Sequence, residues 1–155
     1  MKLILYFIKS LFIIFFLTIL TQIGGVVYLF STLFFTIIKR VFPSKMPIFL
    51  QKTATFFLLY LTITFFIIPP LAKFNNRIPL PYFSKKATLK PTNLLTVILN
   101  RHYVRPQLKQ LTERISTKIS QQCPGTQLAY LDANFPFWNG FPLLPHISHN
   151  DEKKD

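Results

Sequence analysis

Apolar and polar positions are unevenly distributed along the chain. From Ser10 to Ile38 the run SLFIIFFLTILTQIGGVVYLFSTLFFTII contains no charged residue. A helix needs about 20 apolar residues to cross a bilayer, so this run predicts a spanning helix with length to spare. Tilt, a break at Gly24-Gly25, or a portion lying at the interface would absorb the excess. Thr21 and Gln22 sit near the middle of the run, and two readings stay open for them. They are polar groups satisfied by backbone or a neighbouring helix, or they join an interhelical contact in which the glycine pair admits close approach.

A basic, proline-broken connector follows, KRVFPSKMPIFLQK. Lys39, Arg40, Lys45 and Lys52 would each cost roughly 2.5–3.5 kcal/mol at the centre of a membrane helix, which places the connector outside hydrocarbon. Thr53–Ala72, TATFFLLYLTITFFIIPPLA, is the second spanning candidate. Pro69 and Pro70 are expected to end its regular helix, since proline lacks the amide donor and clashes with the preceding turn. A signal peptide would have a shorter apolar region followed by a small-residue cleavage site, and the first run has neither. Residues 1–72 therefore predict a two-helix transmembrane hairpin, with spans over residues 10–38 and 53–72.

Residues 73–91 are polar, basic and proline-rich and read as an extended linker rather than a packed element. Residues 92–155 read as short helices, one strand and an aromatic, proline-rich terminal loop. TNLLTVILNRHYV predicts a short helix with Thr92 or Asn93 as N-cap. In RPQLKQLTERISTKISQQ, Pro106 suits a first turn, and Leu108, Leu111, Ile115 and Ile119 recur at helical spacing. CPG ends that helix, and TQLAYLDA reads as a strand. Beyond Asp132, three prolines and Asn139-Gly140 predict loop, yet Phe135, Phe137, Trp138 and Phe141 are too many rings for a solvated loop. The fold class expected is a mainly α membrane protein: a transmembrane hairpin plus a small, incomplete α+β tail near the lower size limit for independent folding.

Composition sharpens this picture. Charged residues make up 15% of the chain, against about a quarter in ordinary soluble domains, and the deficit lies in the first half. The net charge of +13 suits anionic partners such as lipid or cell-wall polymer. The rings do not interleave with the basic residues as a nucleic-acid platform requires, so no nucleic-acid partner is expected. Cys123, the single cysteine, cannot form an internal disulfide. Basic residues flank both ends of the predicted hairpin, which leaves the side of the tail open.

The terminus carries His146 and His149 three residues apart, with Asp151 and Asp155 nearby. Histidine and carboxylate are zinc-type ligands, and catalytic zinc commonly takes three protein ligands and a water. The plainer reading is a pair of surface histidines in a polar loop.

Three stretches, LTQIGGVVYLFS, NRHYV and LDANFPFWNGFPLLPHISHND, together resemble a family of uncharacterised bacterial membrane proteins, over nearly the whole chain. In that family an N-terminal anchor is followed by a stretch that runs on as Ser-His-Asn-Asp-Gly-Lys-Lys-Leu-Asp into a further domain. That run is similar to the Ser-x-His-x-x-Gly-x-x-x-Asp signature of zinc peptidases of the lysostaphin and D-alanyl-D-alanine peptidase group, where the His and Asp hold zinc and another His comes later. On this resemblance His149 matches the ligand His and Asp155 stands for the ligand Asp, one position early. Glu152 replaces the Gly, the Leu is absent, Ser148 abuts His149, and no later His follows. The resemblance thus implies an incomplete metal set and a truncated chain, for which a shifted reading frame near Asp151 is one origin.

The function expected is that of a multi-pass protein of the bacterial inner membrane, partnered by the lipid bilayer, without a cofactor and not a competent enzyme as it stands. Two rivals remain. One is the N-terminal part of a membrane-tethered, zinc-dependent cell-wall peptidase. The other is a small membrane partner that docks on another membrane protein, or on cell-wall polymer, through its aromatic loop.

Overall fold

The structure, a computed structural model, describes residues 2–41, 45–82, 88–138, 140, 141 and 143. It is mostly helical, with two helices long and apolar enough to cross a membrane and a few small strands. The chain divides into two compact units, Met1–Phe66 and Ile67–Asp155.

In the first unit the charge-free run is not one span. It is shared between α1 (Lys2–Thr21) and α2 (Gly24–Val41), with the break at Gln22-Ile23. Three local features cause it. Gln22 takes a left-handed conformation at φ 66°, which a helix interior does not tolerate. The Thr21 hydroxyl donates to the Leu17 carbonyl at 2.9 Å and accepts from the Gly24 amide at 2.8 Å, so it closes one helix and caps the next. Gly24 and Gly25 then let α2 fold back onto α1. A Cβ on Gly25 would lie 2.6 Å from the Ile14 carbonyl oxygen and overlap the Thr18 hydroxyl. The first reading of the polar pair holds for Thr21, whose hydroxyl is satisfied by backbone, and the glycines admit close approach.

α2 packs in turn on α3 (Ile48–Thr62). Tyr28 meets Phe56 edge-on at 6.3 Å, and Phe56 stacks on Tyr60 at 5.8 Å. Hydroxyls in these helices donate to carbonyls three or four residues back, at Thr18, Ser31, Thr32, Thr36, Thr55 and Thr62. That bond satisfies a polar group without a partner from outside the helix.

The prolines do not end the second apolar helix. A π-helical segment, Ile63–Ile67, follows α3, and α4 (Ile68–Phe74) continues through Pro69 and Pro70. The wider π turn shifts the hydrogen-bond register where proline has no amide to offer. Asn75 and Asn76 then stop α4, Asn76 at φ 54°.

Among its described residues the second unit contains four short strands rather than one. β1 (Ile78–Pro79) pairs antiparallel with β3 (Tyr103–Val104), and β2 (Leu89–Pro91) pairs in parallel with β4 (Leu128–Tyr130). A parallel pair needs a long crossover, which here carries α5 (Leu94–Ile98), β3 and α6 (Pro106–Gln122). The segment read as an unpacked linker is therefore corrected in part. Leu80 and Leu89 are buried and, with Val104, form a core that Leu108, Leu128, Tyr130 and Ala133 pack against. Basic and proline residues masked these isolated core positions. α6 also departs from its expected face. Ser116 is buried, bonded to Thr88 at 2.8 Å, while Leu111 and Ile115 are exposed.

Candidate functional site

Three consecutive buried polar residues of the second unit, Asn100, Arg101 and His102, follow α5. Asn93 caps this helix, its side-chain oxygen accepting the Leu95 amide at 2.8 Å. The helix is shorter than TNLLTVILNRHYV suggested, because Asn100 turns left-handed at φ 59°. Asparagine tolerates that conformation better than most residues. The turn is closed by the Asn100 amide on the Val97 carbonyl and the Arg101 amide on the Thr96 carbonyl, at 3.0 and 2.9 Å. It sends Arg101 and His102 inward and starts β3.

Three extended segments then run side by side. The Leu80 amide donates to the His102 carbonyl at 2.8 Å, the Ala133 amide to the Arg101 carbonyl at 2.7 Å, and the Tyr103 amide to the Asn134 carbonyl at 3.0 Å. Residues 101–104 therefore lie between residues 78–80 and 132–135. Arg101 Nη1 reaches Asp132 Oδ2 at 2.9 Å, and the Thr96 hydroxyl donates to the other carboxylate oxygen at 3.3 Å. The guanidinium carbon of Arg101 also sits 5.7 Å from the Phe135 ring centre. Asn134 accepts the Phe135 amide through its side-chain oxygen at 2.7 Å.

His102 is the chemically distinctive member. It is 2% exposed and held between Tyr82, edge-on at 5.2 Å, and Tyr103 at 4.6 Å. Burial pushes its pKa down to about 4, opposed in part by a hydrogen bond to the Thr96 backbone. The ring is thus neutral at pH 7, and its buried Nδ1 has no hydrogen-bond partner among the described residues. Burial, followed by the nearby Tyr82, raises the Tyr130 phenol above its ordinary range. Its hydroxyl donates to the Pro81 carbonyl at 2.9 Å.

Asn100, His102, Tyr103 and Asn134 all have 2% exposure or less. What this arrangement can do is hold three short segments in register.

The residues singled out for zinc, His149 and Asp155, lie outside the described residues, as does His146. Among the described residues no group of three His, Cys, Asp or Glu comes together. The aromatic loop is partly absorbed by its own unit. Phe135 is fully buried and meets Phe141 edge-on at 5.1 Å, whereas Trp138 is 60% exposed. Sequence reasoning missed the centre at Arg101, His102 and Asp132. The available signal was Asp132 itself, one of five acidic residues against 18 basic ones, which makes an ion pair with a nearby arginine expected. No family model, curated protein or solved structure matches the chain.

Proposed function

We propose that the chain is a membrane-anchored protein whose first unit sits in the bilayer and whose second unit is a small domain organised around a structural, non-catalytic polar centre. One observation carries the reading. Within the apolar window Ile4–Thr21 only 6% of residues are buried. A core helix of a soluble protein covers its apolar face with protein; here Phe7, Phe12 and Phe15 are each more than 60% exposed. Water penalises such a surface by roughly 25 cal/mol per Å², and hydrocarbon does not. Twenty residues of α1 span about 30 Å at 1.5 Å per residue, the thickness of a hydrocarbon core. The back-bonded hydroxyls suit the same surroundings, since lipid offers no hydrogen bonds. The family resemblance of the three motifs supports a bacterial inner membrane.

Because α2 folds back on α1, the anchor we propose has three apolar helical stretches instead of two spans: α1, α2 and the stretch Ile48–Phe74, which runs from the first unit into the start of the second. Alkaline carbonate extraction of membranes, followed by vesicle flotation, tests it. The chain is expected to stay in the pellet and float with lipid. Recovery in the carbonate supernatant overturns the proposal.

A further inference from the structure

Resting on the bilayer placement of the first unit, we propose that a groove among α1, α2 and α3 binds one anionic phospholipid, its acyl chain along the groove and its phosphate on Lys52. The groove encloses about 390 Å³, within the range of roughly 300–1,000 Å³ typical of small-molecule sites. Tyr6 and Leu17 of α1, Tyr28 and Phe35 of α2, and Phe56 of α3 give it apolar walls. Lys52 is the one charged side chain in its lining. The Lys52 ammonium stands over the Phe35 ring, 5.4 Å from its centre, at an exposed position in α3. An exposed ammonium beside an apolar groove is free to meet an anion from outside the chain, and the chain supplies no carboxylate nearby in sequence: no acidic residue precedes Glu113.

The same end of the unit concentrates positive charge. α1 and α2 fold back on each other, so Tyr6 and Phe35 line one groove. The start of α1 and the end of α2 therefore share one end of the unit. The six basic positions of this unit fall in the first half of α1 (residues 2 and 9), at the end of α2 (39 and 40), in the connector (45) and early in α3 (52), and the unit's sequence holds no carboxylate. Such a cluster favours an anionic headgroup. The apolar walls and the lipid-facing residues around them, Phe12 among them, select a ligand that arrives through the bilayer over a free phosphate ion.

The test uses the full chain in nonionic detergent, titrated with dioleoylphosphatidylglycerol or dioleoylphosphatidylcholine and read by native mass spectrometry. One phosphatidylglycerol is expected to be retained in preference to phosphatidylcholine, and millimolar inorganic phosphate should not displace it. Lys52→Gln should weaken phosphatidylglycerol about five-fold, the equivalent of about 1 kcal/mol for one lysine at an anionic headgroup, and leave phosphatidylcholine unchanged. Lys52→Arg should restore the preference. Thr53→Trp, which fills the groove beside an intact Lys52, should abolish retention. Equal retention of the two lipids, displacement by phosphate, or a loss in Lys45→Gln as large as in Lys52→Gln overturns the site. The same protein is first checked for carbonate resistance. A chain that resists extraction but shows no lipid preference fails the groove alone, whereas one that washes off fails the membrane placement beneath it.

Discussion

Acid should loosen the second unit through His102. The unfolded chain takes up a proton on this ring near the ordinary histidine pKa of about 6.5, but the folded chain does so only near about 4. Between those values the unfolded state holds more protons, so stability falls as pH falls. The contribution is intact above about pH 6.5 and lost progressively toward pH 4. With those two pKa values, acidification from pH 7 to pH 5 removes about 2 kcal/mol, approaching a limit of about 3 kcal/mol below pH 4. The assay is urea unfolding of the full chain in mild detergent at fixed pH values, read by fluorescence of Trp138, the single tryptophan. Trp138 packs beside Phe141 at 6.0 Å and so reports on this unit. His102→Gln keeps an amide donor for the Thr96 carbonyl and removes the titration. Its unfolding free energy should stay flat between pH 7 and pH 5. An equal slope in wild type and variant, or no slope in wild type, would refute the assignment of the buried neutral ring.

Three further outcomes follow from other contacts. Asp132→Ala leaves the Arg101 guanidinium, 5% exposed, without its carboxylate; breaking a buried pair costs about 3–5 kcal/mol, and the 21% exposure of Asp132 lowers the expectation to about 2–3 kcal/mol in the same urea titration. Gly25→Ala puts a methyl against the Ile14 carbonyl and Thr18 hydroxyl; overpacking of this kind costs about 1–3 kcal/mol, seen as a lower thermal midpoint in detergent, and an unchanged midpoint would mean that α1 and α2 do not approach there. The apolar surface of α1 predicts that Phe12→Lys, at a position 69% exposed, weakens carbonate resistance while leaving the acid dependence of the second unit unchanged.

The apolar helices were legible because a charge-free run needs no knowledge of its partners. The break at Gln22-Ile23 was less so. A glycine pair permits a fold-back, but the feature that fixes it, Thr21 closing α1 and capping α2, is a geometric event that leaves no period in the sequence. In the second unit, strands of two or three residues are too short for alternation to show, and each pairs with a segment more than 20 residues away. Asn100-Arg101-His102 reads as the end of the short helix over TNLLTVILNRHYV, because nothing in three consecutive polar residues marks a turn; the left-handed conformation at Asn100 sends them inward. That placement has a physical consequence. Two-residue ladders cannot fix their own register, and the apolar core around Leu80, Leu89 and Val104 is small. Register must then come from directional contacts, and these converge on one segment: Leu80, Ala133 and Asn134 bond its backbone, while Asp132 holds its arginine. Protonating His102 or deleting Asp132 should therefore destabilise the unit as a whole, because each disturbs the one segment on which the register contacts converge.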